Sequence, residues 1–147
     1  MKRAFLAVAV LALLCFGAAQ QASAAGAIVV TVSSQEPNVT EYSVAWTATS
    51  GGDVNGNAVN VAAGYIFEAV FIPGAVTPTT LYDVVLNDQL GTIDQLVGTG
   101  ANLSASVAKQ PSFQPTLHWR GGALDLVITN AGTSTTGTVI IKVRPTQ

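Results

Sequence analysis

The chain has 147 residues, 49% of them hydrophobic and only 10% charged, with a net charge of −2 and a single cysteine. Beyond residue 24, four scattered cations (Lys109, Arg120, Lys142 and Arg144) stand against eight acids, a net of −4. That balance supplies neither the basic stripe that neutralises phosphates nor the basic surface that holds an anionic membrane, so neither nucleic acid nor membrane is an expected partner.

Residues 1–24 carry a pattern of their own. Lys2-Arg3 is a short positive start, Ala4 to Gly17 is an uncharged apolar run, and Ala22-Ser23-Ala24 is a small-x-small cleavage signature. This is the form of a helical secretory signal peptide, too short and wrongly flanked for a spanning helix. An apolar assembly element that stays attached is the alternative reading. Cys15 follows Leu14 rather than a small residue, which argues against lipidation. Cleavage after Ala24 leaves a body with no cysteine, held by its core alone, and residues 25–147 are expected to form one exported domain.

In chain order the body reads as strands. Ala27 to Ser33 is a β-branched run at the start of the mature chain, and Thr40 to Thr49 alternates, with Tyr42, Val44 and Trp46 on one face. Ser50 to Asn57 is rich in Gly and Asn and reads as a loop. Val59 to Pro73 is the longest strand candidate, with Tyr65, Phe67, Ala69 and Phe71 on one face and Ile66, Glu68, Val70 and Ile72 on the other. Leu81 to Asn87 follows Pro73-Gly74 and Thr77-Pro78, with Asp88 to Gly91 as its turn. Leu96-Val97 is a short candidate before the loop Gly98 to Asn102, and Thr116 to Arg120 is another after Pro111 and Pro115. Ala123 to Thr129 and Thr138 to Val143 predict a closing hairpin, with Leu124, Leu126 and Ile128 inward opposite Val139, Ile141 and Val143. No 3.6 period recurs after the signal segment. The expected fold class is all-β, an antiparallel β-sandwich of seven or eight short strands.

Side chains for chemistry are few. His118 is the only histidine and has no cysteine partner, and no Gly-x-Ser-x-Gly occurs. Asp83, Asp88 and Asp94 lie close in sequence but lack the ligand spacing of an EF-hand, so a turn accounts for them. Trp46 sits on a core-like face, whereas Trp119, followed by Arg120-Gly121-Gly122, is the better candidate for stacking on a sugar. Tyr42, Tyr65 and Tyr82 are the other aromatic candidates. Asn38-Val-Thr40 and Asn102-Leu-Ser104 match the N-glycosylation pattern, which matters only in a eukaryotic secretory pathway. No catalytic, cofactor-binding or metal-ligating residue is assigned, no cofactor is expected, and the protein is read as a non-enzyme.

Several segments together resemble a known group. Leu81-Tyr-Asp-Val-Val-Leu-Asn-Asp-Gln-Leu-Gly91, Asp94 to Ser104 with its Gly98-Thr-Gly-Ala-Asn102 loop, Leu124 to Gly132 with Thr129-Asn-Ala-Gly132, and Thr136 to Ile141 resemble a family of small tailed-phage and prophage virion proteins. The likeness spans roughly Thr40 to Arg144. It implies a non-enzymatic structural subunit, a decoration or accessory tail component, whose partners are copies of itself or other virion subunits and whose location is the virion. Two alternatives follow from the residues. One is an exported surface-fibre subunit in which Ala27 to Ser33 pairs with a neighbour's open sheet edge. The other is a secreted carbohydrate-binding module built around Trp119. Both place the protein in the periplasm, at the cell surface or outside the cell.

Overall fold

The computed structural model describes residues 26–88 and 93–145. The signal segment and Gln89 to Gly91 lie outside them. The described residues contain eight strands and no helix: β1 (Ala27–Glu36), β2 (Val39–Thr47), β3 (Val54–Val61), β4 (Gly64–Pro73), β5 (Asp83–Asp88), β6 (Ser112–Trp119), β7 (Gly122–Thr129) and β8 (Thr136–Arg144). They form two antiparallel sheets, one of five strands in the order β1-β2-β8-β4-β6 and one of three in the order β3-β7-β5.

From β2 onward the chain changes sheet at every strand, so β1 and β2 are the only consecutive strands that pair. Their register runs from Ala27 opposite Thr47 to Glu36 opposite Val39. Pro37 presets the first turn position and Asn38, with φ 64°, takes the left-handed second one.

That alternation overturns two expectations. The segment Val59 to Pro73 is two strands, because the chain leaves β3 at Val61, turns through Ala62-Ala63 and enters the other sheet at Gly64. Similarly, β7 and β8 are no hairpin. The six-residue connection of residues 130–135 is longer than a tight hairpin turn needs, and left-handed Asn130, Gly132 and Ser134 carry the chain from one sheet to the other. The inward residues were nevertheless read correctly. Leu124, Leu126, Ile128, Val139, Ile141 and Val143 are all buried in one hydrophobic cluster that draws side chains from both sheets.

Other boundaries shift as well. Val54 to Asn57 belongs to β3 rather than to a loop, while Leu96-Val97 lies in a turn. β6 starts at Ser112 and includes Pro115, which suits its place at the edge of the five-stranded sheet. The faces of β4 also differ from simple alternation. Ile66 opposes Val143 and Glu68 opposes Lys142, leaving Phe67 as an extra residue. This bulge reverses the alternation, so Ile66 is buried before it and Ala69 and Phe71 after it. Phe67 turns its ring toward the Arg144 guanidinium, 5.2 Å from the ring centre.

Trp46 is core, as its face suggested, with Tyr82 against it at 5.9 Å between ring centres. Its indole lies on Gly137 of β8, where any Cβ would overlap the ring. Tyr42 is also buried, and its hydroxyl accepts the Ala62 N–H at 2.8 Å, tying β2 to the turn between β3 and β4.

Candidate functional site

Two surfaces are candidates: a cleft beside Trp119 and the edge of the five-stranded sheet at β1.

The cleft has a volume of about 370 Å³ and is lined by Asp88, Ile93, Gln95 and residues 118–123. Trp119 is half-buried against the core and donates its indole N–H to the Val61 carbonyl at 3.2 Å. The positive φ of Gly121 and Gly122 turns the chain sharply beyond it into β7. His118 is exposed, with its ring edge-on to Tyr65 at 5.2 Å. The walls offer an aromatic ring, a guanidinium, an imidazole, a carboxylate and several other polar groups.

The clustered aspartates have loop-building roles. Asp94 accepts backbone N–H bonds from Leu96 at 2.8 Å, Gly98 at 2.7 Å and Leu86 at 3.3 Å. Asp83 accepts from the Asn102 N–H at 2.8 Å, and Asp88 from the Ile93 N–H at 3.3 Å. Among the described residues no group of three His, Cys, Asp or Glu side chains is placed to hold a metal ion. Asn38 and Asn102, the two glycosylation-pattern residues, are exposed left-handed turn positions, a conformation asparagine tolerates better than most.

These aspartates give the segment 93–104 a definite job. It lies along β5 and fills that strand's open hydrogen-bonding side: Val84 N–H donates to Gly100, Leu103 N–H to Tyr82, Leu81 N–H to Leu103, Gln95 N–H to Leu86 and Asp88 N–H to Ile93. Leu96 and Leu103 plug into the core beneath it, and Gly100 passes so close to the Val84 carbonyl that a Cβ there would overlap it. The outer side of β5 is therefore already paired.

The remaining edges are blunted in other ways. β6 carries Pro115, which lacks an N–H, and its register with β4 breaks between Leu117 and Ser112. β3 is bulged between Val54 and Asn57, and asparagines occupy positions 55, 57 and 60.

From Ala27 to Ser33, before its register with β2 shifts between Ser33 and Glu36, β1 has none of these protections among the described residues. From Ala27 to Gln35 it contains no charge and no proline. Ile28, Val30 and Val32 stand opposite Trp46, Val44 and Tyr42, so they share the core face of the sheet. The β2 partners are buried, yet Val30 is 37% and Val32 58% exposed, and Ile28 alone packs partly on the core. On the opposite face Val29 is 67% exposed. Among the described residues β1 thus presents an unpaired backbone edge together with an uncovered apolar ledge.

No family model, curated protein or solved structure matches the chain.

Sequence reasoning had singled out Ala27 to Ser33 as a possible joining strand from its β-branched run. What it missed was the sheathing of β5, because the backbone bonds of segment 93–104 leave no periodic trace. The Asp94 carboxylate, followed by amides at positions 96 and 98, was the available signal.

Proposed function

We propose that the protein is a non-enzymatic structural subunit that works by packing against other protein subunits, and that β1 is its joining edge. The observation that carries this reading is the exposed valine ledge on the one sheet edge that, among the described residues, carries no charge, proline, bulge or covering segment before its last residues. Natural sheets routinely guard such edges, and an unguarded one is a template for another chain. In this reading the five- and three-stranded sheets face each other as a single sandwich domain over residues 25–147, and the smaller sheet leaves β1 uncovered.

The resemblance to tailed-phage virion proteins makes a decoration or accessory tail component the leading form of such a subunit. Mass spectrometry of purified particles from the source is the test. The chain is expected at a fixed stoichiometry to the major subunits, and its absence would remove the virion role. An exported surface-fibre subunit uses the same edge. It predicts instead recovery of the chain, cleaved after Ala24, from the cell surface or medium.

The cleft at Trp119 supports a second reading, a carbohydrate-binding module, since its half-buried indole is flanked by polar groups. Glycan titration should then change Trp fluorescence saturably, and Trp119→Ala should abolish the change. An unaltered spectrum across a glycan panel rejects this reading.

A further inference from the structure

Resting on the assembly reading, we infer that the partner of β1 is β1 of a second copy, joined antiparallel about a two-fold axis through Val30. Three observations select this occupant. The first is the state of the other edges. A head-to-tail chain of subunits needs a second open edge on each copy, and β5 is sheathed, β6 broken by Pro115 and β3 bulged. β1 is left with only itself as a complement of its own kind.

The second is the pattern of side chains along the regular part of the strand, Ala27 to Ser33. With Val30 opposite Val30 of the other copy, Ile28 falls opposite Val32, Val29 opposite Thr31, and Ala27 opposite Ser33. Even positions meet even ones, so residues whose backbone groups point outward pair with residues of the same kind. Ile28, Val30 and Val32 of both copies then form one apolar strip on the core face, and each ledge covers the other. β-branched cross-strand pairs of this sort are favourable in an antiparallel sheet.

The third is charge. Glu36 is the strand's sole charged residue and lies at one end. Antiparallel pairing puts the two Glu36 carboxylates at opposite ends of the joint, whereas parallel pairing would set them side by side. The product is a closed dimer with a continuous ten-stranded sheet.

Sedimentation velocity on the purified chain over a concentration series tests this. The expected result is a monomer–dimer equilibrium with no larger species. Val30→Lys, which sets two ammonium groups on the axis, should abolish the dimer while leaving the far-UV circular dichroism unchanged. Val29→Lys, on the exposed opposite face, serves if the first variant misfolds, and it should also lose the dimer. Adding Thr31→Glu to Val29→Lys should restore it, because position 29 faces position 31 of the other copy. A monomer at all concentrations overturns the two-fold joint while leaving the virion role to the particle experiment. Open-ended polymers, or a dimer indifferent to both lysine variants, overturn it as well; only polymers broken by Val30→Lys would keep β1 as a joining edge.

Discussion

β5 and β1 are both terminal strands of an antiparallel sheet, and each runs beside well-buried neighbours, yet they end differently. The outer side of β5 is closed by an irregular segment that supplies backbone partners, two buried leucines and a ring of aspartate caps. The outer side of β1 is closed by nothing in the chain that is described, and its valines face outward on both faces. The contrast shows how one fold can seal one edge internally while leaving another bare among its described residues. Sealing needs no regular strand, because any backbone at the right distance satisfies the ladder.

If this contrast is right, damage to the sheath should be costly and damage to β1 should not. The largest effect is expected for Leu103→Ala or Leu96→Ala. Each removes a fully buried side chain from beneath the sheath, at a cost of about 2 to 5 kcal/mol by urea denaturation. Both variants should also expose β5 and aggregate more readily than the parent, as read by light scattering.

Next comes Asp94→Ala, which deprives the Leu96, Gly98 and Leu86 amides of a charged acceptor. A loss of roughly 1 to 3 kcal/mol is expected, with faster hydrogen exchange at β5 amides and little change in β2 or β8. Asp94→Asn keeps one acceptor oxygen and should fall between the parent and the alanine variant. Equal exchange at β5 in all three would show that Leu96 and Leu103 alone hold the sheath.

What the residues revealed in advance divides along the same line. Alternation in Tyr42-Val44-Trp46, Leu124-Leu126-Ile128 and Val139-Ile141-Val143 identified the core faces correctly, because burial on one side of a strand is written directly in the sequence. Pairing was not legible. Whether β8 joins β7 or β2 depends on where the connection of residues 130–135 leads, and both choices bury the same side chains. The Phe67 bulge was hidden for a related reason, since one extra residue shifts the face without changing the apolar run around it. Of the candidate site, the apolar character of β1 was visible and the exposure of its ledge was not. How far Val30 and Val32 stand exposed depends on the strand's place at the sheet edge, which the apolar run does not record.

A smaller effect is expected at Glu68, beside the bulge and near the β6 edge. Its carboxylate pairs with Lys142 at 2.7 Å, with the two side chains 15% and 27% exposed. The Lys142 hydrogen bond holds the Glu68 carboxyl below its ordinary range despite the opposing effect of burial, and the Glu68 hydrogen bond raises Lys142. The Glu68 contribution is therefore present above the unfolded carboxyl value of about 4.3 and fades as pH falls through the lower folded value. The Lys142 contribution is complete below about 10.4 and fades above it. Buried Tyr82, whose phenol is pushed up by desolvation, adds stability that is likewise lost as pH rises beyond about 10. Glu68→Gln should cost at most about 1 kcal/mol at neutral pH and nothing in strong acid, measured by thermal melts across the pH range.

The smallest change in stability belongs to β1, and it is the sharpest discriminator. Val32→Lys replaces a side chain already 58% exposed at an edge, touching no tight packing. Its effect on the isolated subunit should stay within about 0.5 kcal/mol. If β1 is a joining edge, that nearly silent variant should nevertheless prevent incorporation into whatever particle or oligomer the parent enters. Leu103→Ala, although far more damaging to stability, should still incorporate at temperatures where it remains folded. The reverse ranking, with the sheath controlling incorporation and β1 indifferent, would make β1 an ordinary exposed strand and move the joining surface toward segment 93–104. Two variants compared in one incorporation assay thus separate an edge kept open for a partner from one that is merely uncovered.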